Sequence, residues 1–331
     1  MWQFAWPEPV RPIMEQGRIG ADDVLTLRRT VFGDGIVSDR EAELLFSLNE
    51  ACTEWDRAWP EFFVEALTDY LVHQAQPEGH ISEANAEWLI GRISHDGRVD
   101  TACELELLVS LLEKAQSCPP RLVAFALEQV KAGVLSGDGP TRAGVALKPG
   151  VIGEAEVDLL RRILYAYGGH GNIAISQAEA EILFDINDAT IEAENHPSWS
   201  DLFVKAIANF LMHASGYRVP SREEALRRAE WLDSTEPNVP GFLGRMLSGG
   251  LKGILDAYRH DPETEMEKRL AAREAEMRLA ERVTESEALW LAERIGRDGV
   301  LHENERALIR FIRDESPHIH PALQPLLQSA A

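Results

Sequence analysis

The chain has 331 residues, of which 45% are hydrophobic and 27% are charged. This composition is typical of a folded globular protein and excludes an intrinsically disordered one, and the length predicts two domains. The formal net charge of −22 disfavours binding to nucleic acid and to anionic lipid, because no dense cluster of Lys and Arg opposes it.

The cysteines and the N-terminus indicate the compartment. Cys52, Cys103 and Cys118 have the spacing of neither a zinc site nor a redox pair. Cys52 falls in an apolar helical stripe, where a free cysteine packs as a small hydrophobe. Residues 1–17, assigned as an N-terminal extension, lack the basic and apolar regions of a signal peptide, and no apolar run reaches about 20 residues. We therefore expect a cytoplasmic protein with reduced thiols.

Apolar residues recur at three- and four-residue steps, which predicts an all-α fold. In chain order the stripes are Leu45/Leu48/Cys52/Trp55, Phe63/Leu67/Tyr70/Leu71, Leu105/Leu108/Leu111/Leu112 and Phe203/Ile207/Phe210/Leu211. Ser38 stands three residues before Glu41, and Ser176 three before Glu179, which is the capping-box pattern of a helix start. Tryptophan buries a large area, so we expect core anchors at Trp55, Trp59, Trp88, Trp199, Trp231 and Trp290.

The two halves of the chain align as an internal repeat. The recurring residues are Leu27-Arg28-Arg29/Leu160-Arg161-Arg162, Ser38/Ser176, Leu45-Phe46/Leu183-Phe184, Asn49/Asn187, Trp59/Trp199, His73/His213, Trp88-Leu89/Trp290-Leu291 and Asp96-Gly97/Asp298-Gly299. Gaps in the alignment fall only where turns are expected. We therefore predict a tandem duplication, with helical units at 18–135 and 153–331. A Gly/Pro-rich linker at 136–152 separates them, and an insertion at about 215–284 interrupts the second.

A turn of the form Asp-Gly-x-hydrophobic precedes several acid-rich helices. In an EF-hand frame, Asp34 with Glu41 and Asp298 with Glu305 would take loop positions five and twelve, but the carboxylates expected at positions one and three are missing. An orthodox EF-hand is therefore excluded. The four acids are still candidate ligands for Ca²⁺ or Mg²⁺. The alternative is that they cap the first helical turn and complement its dipole.

Residues 32–45, Phe-Gly-Asp-Gly-Ile-Val-Ser-Asp-Arg-Glu-Ala-Glu-Leu-Leu, resemble the TerB-like family, which is named for tellurite resistance, and residues 298–309 are similar. The resemblance implies a compact all-helical domain in which such a turn links two helices, and a connection with metal or bacterial stress response. The chain departs from the pattern at 169–172, Gly-His-Gly-Asn, and where the insertion interrupts the second unit. Family resemblance supports a fold more directly than a function.

The predicted insertion carries an apolar helical face. Its candidate interaction residues are Phe242, Met246, Leu247, Leu251 and Ile254. Such a face packs against its own domain or docks to a partner helix. Peripheral membrane contact is disfavoured, because only Arg245 and Lys252 lie nearby.

The motifs of common enzyme classes are missing: we find no phosphate-binding glycine loop, nucleophile elbow or paired-histidine zinc helix. We therefore predict a non-enzymatic helical scaffold or protein-interaction module of TerB-like type, with another protein as partner and the insertion as its contact surface. The alternative is a divalent-metal-binding stress-response protein resembling tellurite-resistance proteins. An acid-dependent hydrolase is a remote third possibility.

Overall fold

A computed structural model describes residues 10–31, 33, 35–94, 96–137, 139–140, 148–166, 175–213, 285–297, 299–315 and 321–329. The α-helices are α1 (Arg11–Gln16), α2 (Ala21–Val31), α3 (Asp39–Ala51), α4 (Ala58–Thr68), α5 (Glu83–Ile93), α6 (Ala102–Lys114), α7 (Pro120–Ser136), α8 (Glu154–Leu164), α9 (Gln177–Ala189), α10 (Ser198–His213), α11 (Glu285–Arg294), α12 (Glu303–Glu315) and α13 (Gln324–Ser329). A π-helical turn, Asp69–Gln74, continues α4, and a 3-10 turn, Pro321–Leu323, precedes α13. The strands described are β1 (Arg18–Ile19) and β2 (Glu54–Trp55), which pair in parallel. The predicted all-α fold is confirmed.

Two helices, α3 and α9, begin at the residues that the capping patterns predict. Ser38 and Ser176 are N-caps, and the side chains of Glu41 and Glu179 return to their backbone N–H groups, which completes both capping boxes. A further capping box begins α6 at Thr101. Each box satisfies amides that a helix start otherwise leaves without an intrahelical acceptor.

The chain divides into two compact units, at residues 1–206 and 207–331. In the first unit α4 packs against α2, α3 and α6, and α7 packs against α8 and α9. Trp59 and Phe63 are fully buried with ring centres 5.8 Å apart, and Phe46 meets Phe63 edge-on at 5.4 Å. The predicted role of Trp59 as a core anchor is confirmed.

A second aromatic cluster in the first unit joins α9 to α10. Trp199 is 1% exposed, and its ring centre lies 5.8 Å from that of Phe203. Phe184 meets Phe203 edge-on at 5.1 Å. Trp199 is therefore a core anchor as predicted.

The second unit contains the end of α10 together with α11, α12, the 3-10 turn and α13. Phe210 and Trp290 meet edge-on with ring centres 5.0 Å apart. Leu291, Leu308 and Ile312 are buried, so one face of α11 and one face of α12 belong to the core of this unit.

The predicted linker lies within the first compact unit. Gly137 caps the C-terminal end of α7 with a left-handed φ of 79°, and a Cβ atom there would lie 2.8 Å from Pro149 Cγ. Gly150 N–H then donates to Val134 O at 2.8 Å. The two predicted helical units are defined by sequence similarity, whereas the two compact units are defined by packing. The division into compact units therefore does not test the predicted domain boundaries.

The prediction that Trp55 is a helical core residue is wrong. α3 ends at Ala51, and Trp55 lies in β2 with 36% of its area exposed. The helix stops because the next amides pair elsewhere: Thr53 N–H donates to Gly17 O at 3.2 Å, and Asp56 N–H donates to Ile19 O at 2.7 Å. Trp88 and Trp290 are half-buried, and Trp231 lies outside the described residues.

Within the ranges that are described, every helix is too short or too polar to cross a bilayer.

Candidate functional site

The acids predicted to bind metal are engaged with backbone amides where they are described. Glu41 is half-buried, and its Oε2 accepts from the N–H of Ser38 at 2.8 Å. Glu305 is 3% exposed; its Oε1 accepts from Gly296 N–H at 2.9 Å and its Oε2 from His302 N–H at 2.8 Å. Both carboxylates therefore stabilise helix starts.

The other two predicted ligands, Asp34 and Asp298, lie outside the described residues. In the part of the chain that is described, no three His, Cys, Asp or Glu side chains are grouped so that they could hold a metal ion. Glu41 and Glu305 fall in different compact units. The Ca²⁺ or Mg²⁺ site stays a prediction. The candidate interaction residues Phe242, Met246, Leu247, Leu251 and Ile254 also lie outside the described residues.

Glutamines from neighbouring segments hold two of the Asp-Gly turns. Val37 N–H donates to Gln74 Oε1 at 2.7 Å. At the equivalent position of the next turn, Val99 N–H donates to Gln129 Oε1 at 2.9 Å, and Gln129 Nε2 donates to Gly97 O at 3.1 Å. These contacts give the turns a structural role, because each buried amide finds an acceptor in another helix.

The first compact unit has an open cleft of about 300 Å³, at the small end of the range of ligand-binding pockets. The end of α3, β2, the end of α5 and the start of α6 form its walls. The lining residues are Phe46, Asn49, Glu50, Cys52, Thr53, Trp55, Arg92, Ile93, Asp100, Thr101 and Glu104. The cleft thus combines apolar side chains with three carboxylates, and it is the candidate functional site.

Trp55 forms an exposed aromatic wall of this cleft. Its backbone is fixed by the pairing of Ile19 with Trp55 between β1 and β2. Its indole N–H donates to Cys52 O at 2.6 Å, which fixes the ring at a second point. A large aromatic side chain held in this way offers contact area at little cost in conformational entropy.

A buried hydrogen-bond chain forms the floor of the cleft. Trp59 Nε1 donates to Asn49 Oδ1 at 3.1 Å, and Asn49 Nδ2 donates to Glu104 Oε1 at 3.0 Å. The other oxygen of Glu104 accepts from the Thr101 hydroxyl at 2.9 Å and from its N–H at 3.2 Å. Glu104 is 9% exposed, and donors from two helices hold its carboxylate.

Charge in the cleft is unevenly compensated. Burial raises the pKa of the Glu104 carboxyl above its ordinary value and the nearby Asp100 carboxylate raises it further, whereas the hydrogen bonds from Thr101 and Asn49 lower it. Arg92 is the cation of the lining, and its guanidinium lies 3.3 Å from Glu43, outside the cleft.

The three thiols of the chain, of which only that of Cys52 lines the cleft, are not suited to nucleophilic chemistry. Cys52, Cys103 and Cys118 are buried, which confirms Cys52 as a small hydrophobe. Burial raises the pKa of the Cys103 and Cys118 thiols to about 12 and also raises that of Cys52. A thiol protonated at neutral pH is a weak nucleophile.

Sequence reasoning missed this cleft. Two signals pointed to it: Asn49 interrupts an apolar stripe, and Thr101 stands three residues before Glu104 at the start of a Leu-rich helix. Neither signal reveals that the side chains of Asn49 and Glu104 meet, because they are 55 residues apart in the chain.

Comparisons with models of protein families, with curated proteins and with solved structures found no match to this chain.

Proposed function

We propose that the chain is a non-enzymatic helical scaffold that binds another protein, and that the cleft of the first compact unit is one of its contact surfaces. The observation that carries the proposal is the exposed, doubly held ring of Trp55 beside an open cleft. Exposed aromatic side chains next to a concave surface are characteristic of the energetic centres of protein interfaces.

We further propose that the scaffold arose by tandem duplication of a TerB-like unit. The two aromatic clusters support the duplication, because their members are equivalent in the sequence alignment. The Trp59–Phe63 and Trp199–Phe203 ring centres are both 5.8 Å apart, with interplanar angles of 46° and 47°. The TerB-like assignment is supported by the Asp-Gly turns between helices and by the all-α fold.

The protein-binding proposal is tested by affinity capture of the tagged full-length chain with quantitative mass spectrometry. A Trp55→Ser variant removes the aromatic wall, and Glu78→Gln serves as control because Glu78 is exposed and does not line the cleft. We expect a protein that the wild type and the control retain and Trp55→Ser loses. Its binding is then measured with both components purified. If no captured protein depends on Trp55, the cleft is not a protein-binding surface.

The predicted insertion is tested in the same assay by removing residues 240–284. A partner that is lost with this deletion but retained by Trp55→Ser assigns the contact to the insertion. If both variants lose the partner, both surfaces are required, and if both retain every captured protein, the scaffold proposal is wrong. A cytoplasmic location is part of the proposal and is checked by cell fractionation.

A further inference from the structure

We infer that the cleft receives a cationic side chain, lysine or arginine, presented by the protein partner; this inference rests on the proposed protein-binding function. The first argument is charge complementarity between such a side chain and the cleft lining. The lining contains three carboxylates, Glu50, Asp100 and Glu104, against the single guanidinium of Arg92.

The positive charge of Arg92 is already engaged by Glu43, outside the cleft, and by the ring of Phe46 in the lining. Its Nε lies 3.3 Å from Glu43 Oε2, and its guanidinium carbon lies 5.3 Å from the centre of the Phe46 ring. In contrast, the side-chain carboxylates of Glu50 and Asp100 make no hydrogen bond or ion pair with any residue that the structure describes. The cleft therefore has uncompensated negative charge of its own.

Glu104 shows the same imbalance at the floor of the cleft. Asp100 is close enough to raise the pKa of the Glu104 carboxyl, and none of the causes of that shift is a Lys or Arg side chain. A cation that entered between Asp100 and Glu104 would stabilise both carboxylates. Its attraction to Glu104 would be stronger than that to a carboxylate on an open surface, because Glu104 is 9% exposed and water screens the interaction less there.

Helix ends add to this field. The C-terminal ends of α3 and α5 line the cleft at Cys52 and Ile93, and C-termini carry partial negative charge that favours cations. The N-terminus of α6 also lines the cleft, but its capping box places the Glu104 carboxylate over it. Helix dipoles and side chains therefore favour the same sign of ligand charge.

Trp55 suits the stem of a lysine or arginine side chain. Indole is the strongest aromatic partner for a cation within about 6 Å of the ring. Its apolar surface also covers the methylene groups of a long side chain. Phe46 and Ile93 supply further apolar surface, so the cleft can hold both the stem and the charged end.

The experiment uses the full chain labelled with 5-fluorotryptophan, with the Trp55 resonance assigned by Trp55→Phe. The probes are pentapeptides of sequence acetyl-Gly-Gly-Xaa-Gly-Gly-amide, in which Xaa is lysine, arginine, norleucine or glutamate. We expect saturable shifts of the Trp55 ¹⁹F resonance with the lysine and arginine peptides, and smaller shifts with norleucine and glutamate. Norleucine is the matched control because it keeps the apolar stem of lysine without the ammonium group.

The exposed acids of the cleft provide variants that leave the buried floor intact. Asp100→Asn and Glu50→Gln should each weaken binding of the lysine peptide by about threefold or more, as loss of a contact of about 0.7 kcal/mol does. Glu78→Gln removes one charge elsewhere on the chain and should leave the affinity unchanged. If Glu78→Gln weakens binding as much as Asp100→Asn, the attraction is a property of the net charge and the inference is wrong.

The remaining outcomes separate this inference from the proposed function. Equal binding of the lysine and norleucine peptides would overturn the inference while a Trp55-dependent protein partner would still stand. Tighter binding of free spermidine than of either cationic peptide would assign the cleft to a small polyamine and overturn the peptide assignment. Cation-selective shifts without any captured partner would instead contradict the protein-binding function.

Discussion

Replacing Asn49 by leucine is the sharpest test of the hydrogen-bond chain beneath the cleft. The amide of Asn49 links Trp59 Nε1, at 3.1 Å, to Glu104 Oε1, at 3.0 Å, and all three residues are buried. Leucine keeps the branch at Cγ but is larger than asparagine, so the change removes both hydrogen bonds and leaves no cavity, although it crowds the site. The electrostatic part of the effect is recognised by its dependence on pH.

The magnitude follows from the two groups that lose a partner. A buried donor left without an acceptor, here the indole N–H of Trp59, costs about 1–3 kcal/mol. Loss of a hydrogen bond to the charged Glu104 costs about 1.5–3 kcal/mol. The additional apolar burial of leucine offsets about 1 kcal/mol of this sum. We expect the free energy of unfolding of Asn49→Leu to fall by about 3 kcal/mol.

The loss should depend on pH, because Asn49 is one of the donors that lower the pKa of Glu104. The folded-state pKa of Glu104 is raised above its unfolded value, so the folded protein binds more protons and its stability falls as pH rises between those two values. Removing Asn49 raises the folded-state pKa of Glu104 further, and so widens the pH interval over which stability falls. The destabilisation should therefore be smaller at about pH 4 than at about pH 7, since the unfolded value is about 4.3.

The assay is urea unfolding at several pH values. Because the chain has two compact units, hydrogen exchange of the amides in α3, α4 and α6 then tests whether the lost stability belongs to the first unit. Glu104→Gln is the companion variant: it cannot ionise, so its stability relative to the wild type should improve as pH rises. Two results would refute the reasoning. One is a fall of less than about 1 kcal/mol in the free energy of unfolding of Asn49→Leu at neutral pH, which is below the range for these hydrogen bonds. The other is a fall that does not depend on pH.

Three further predictions concern other parts of the chain. Gln129→Leu should lower the free energy of unfolding by about 1–3 kcal/mol, because it leaves the amide of Val99 without its acceptor; a change near zero in urea unfolding would show that the turn is held in another way. Cys103 and Cys118 should resist iodoacetamide at about pH 8 and react in urea, because burial raises their pKa to about 12; rapid alkylation of the native chain, measured by mass spectrometry, would contradict this. Glu41→Gln should keep the capping box of α3, because glutamine also serves at that position. If Glu41 acts only as a cap, neither the wild type nor the Glu41→Gln variant should have a higher melting temperature in millimolar Ca²⁺ or Mg²⁺ than in EDTA. A cation-specific gain in the wild type alone would support the predicted metal site.

The sequence by itself determined that the chain is helical and where two of its helices, α3 and α9, begin. Spacing of apolar residues is local information, and so is the capping box: Ser38 and Glu41 are three residues apart, and Ser176 and Glu179 repeat the pattern. The same local rule failed at Trp55. Its three-residue step from Cys52 predicted a helix, but pairing of β1 with β2 took the backbone amides that the helix would have used.

Only the tertiary structure decided what the polar residues do. Asn49 and Glu104 are far apart in the chain and meet because α4 packs against both α3 and α6. Gln74 and Gln129 each hold a turn that is distant in the chain, by accepting from Val37 N–H and from Val99 N–H. No sequence spacing predicts which turn each glutamine reaches. The cleft is assembled from the ends of helices and one strand. Its charge balance is therefore a property of packing, because a carboxylate is compensated by whichever side chain the fold places beside it.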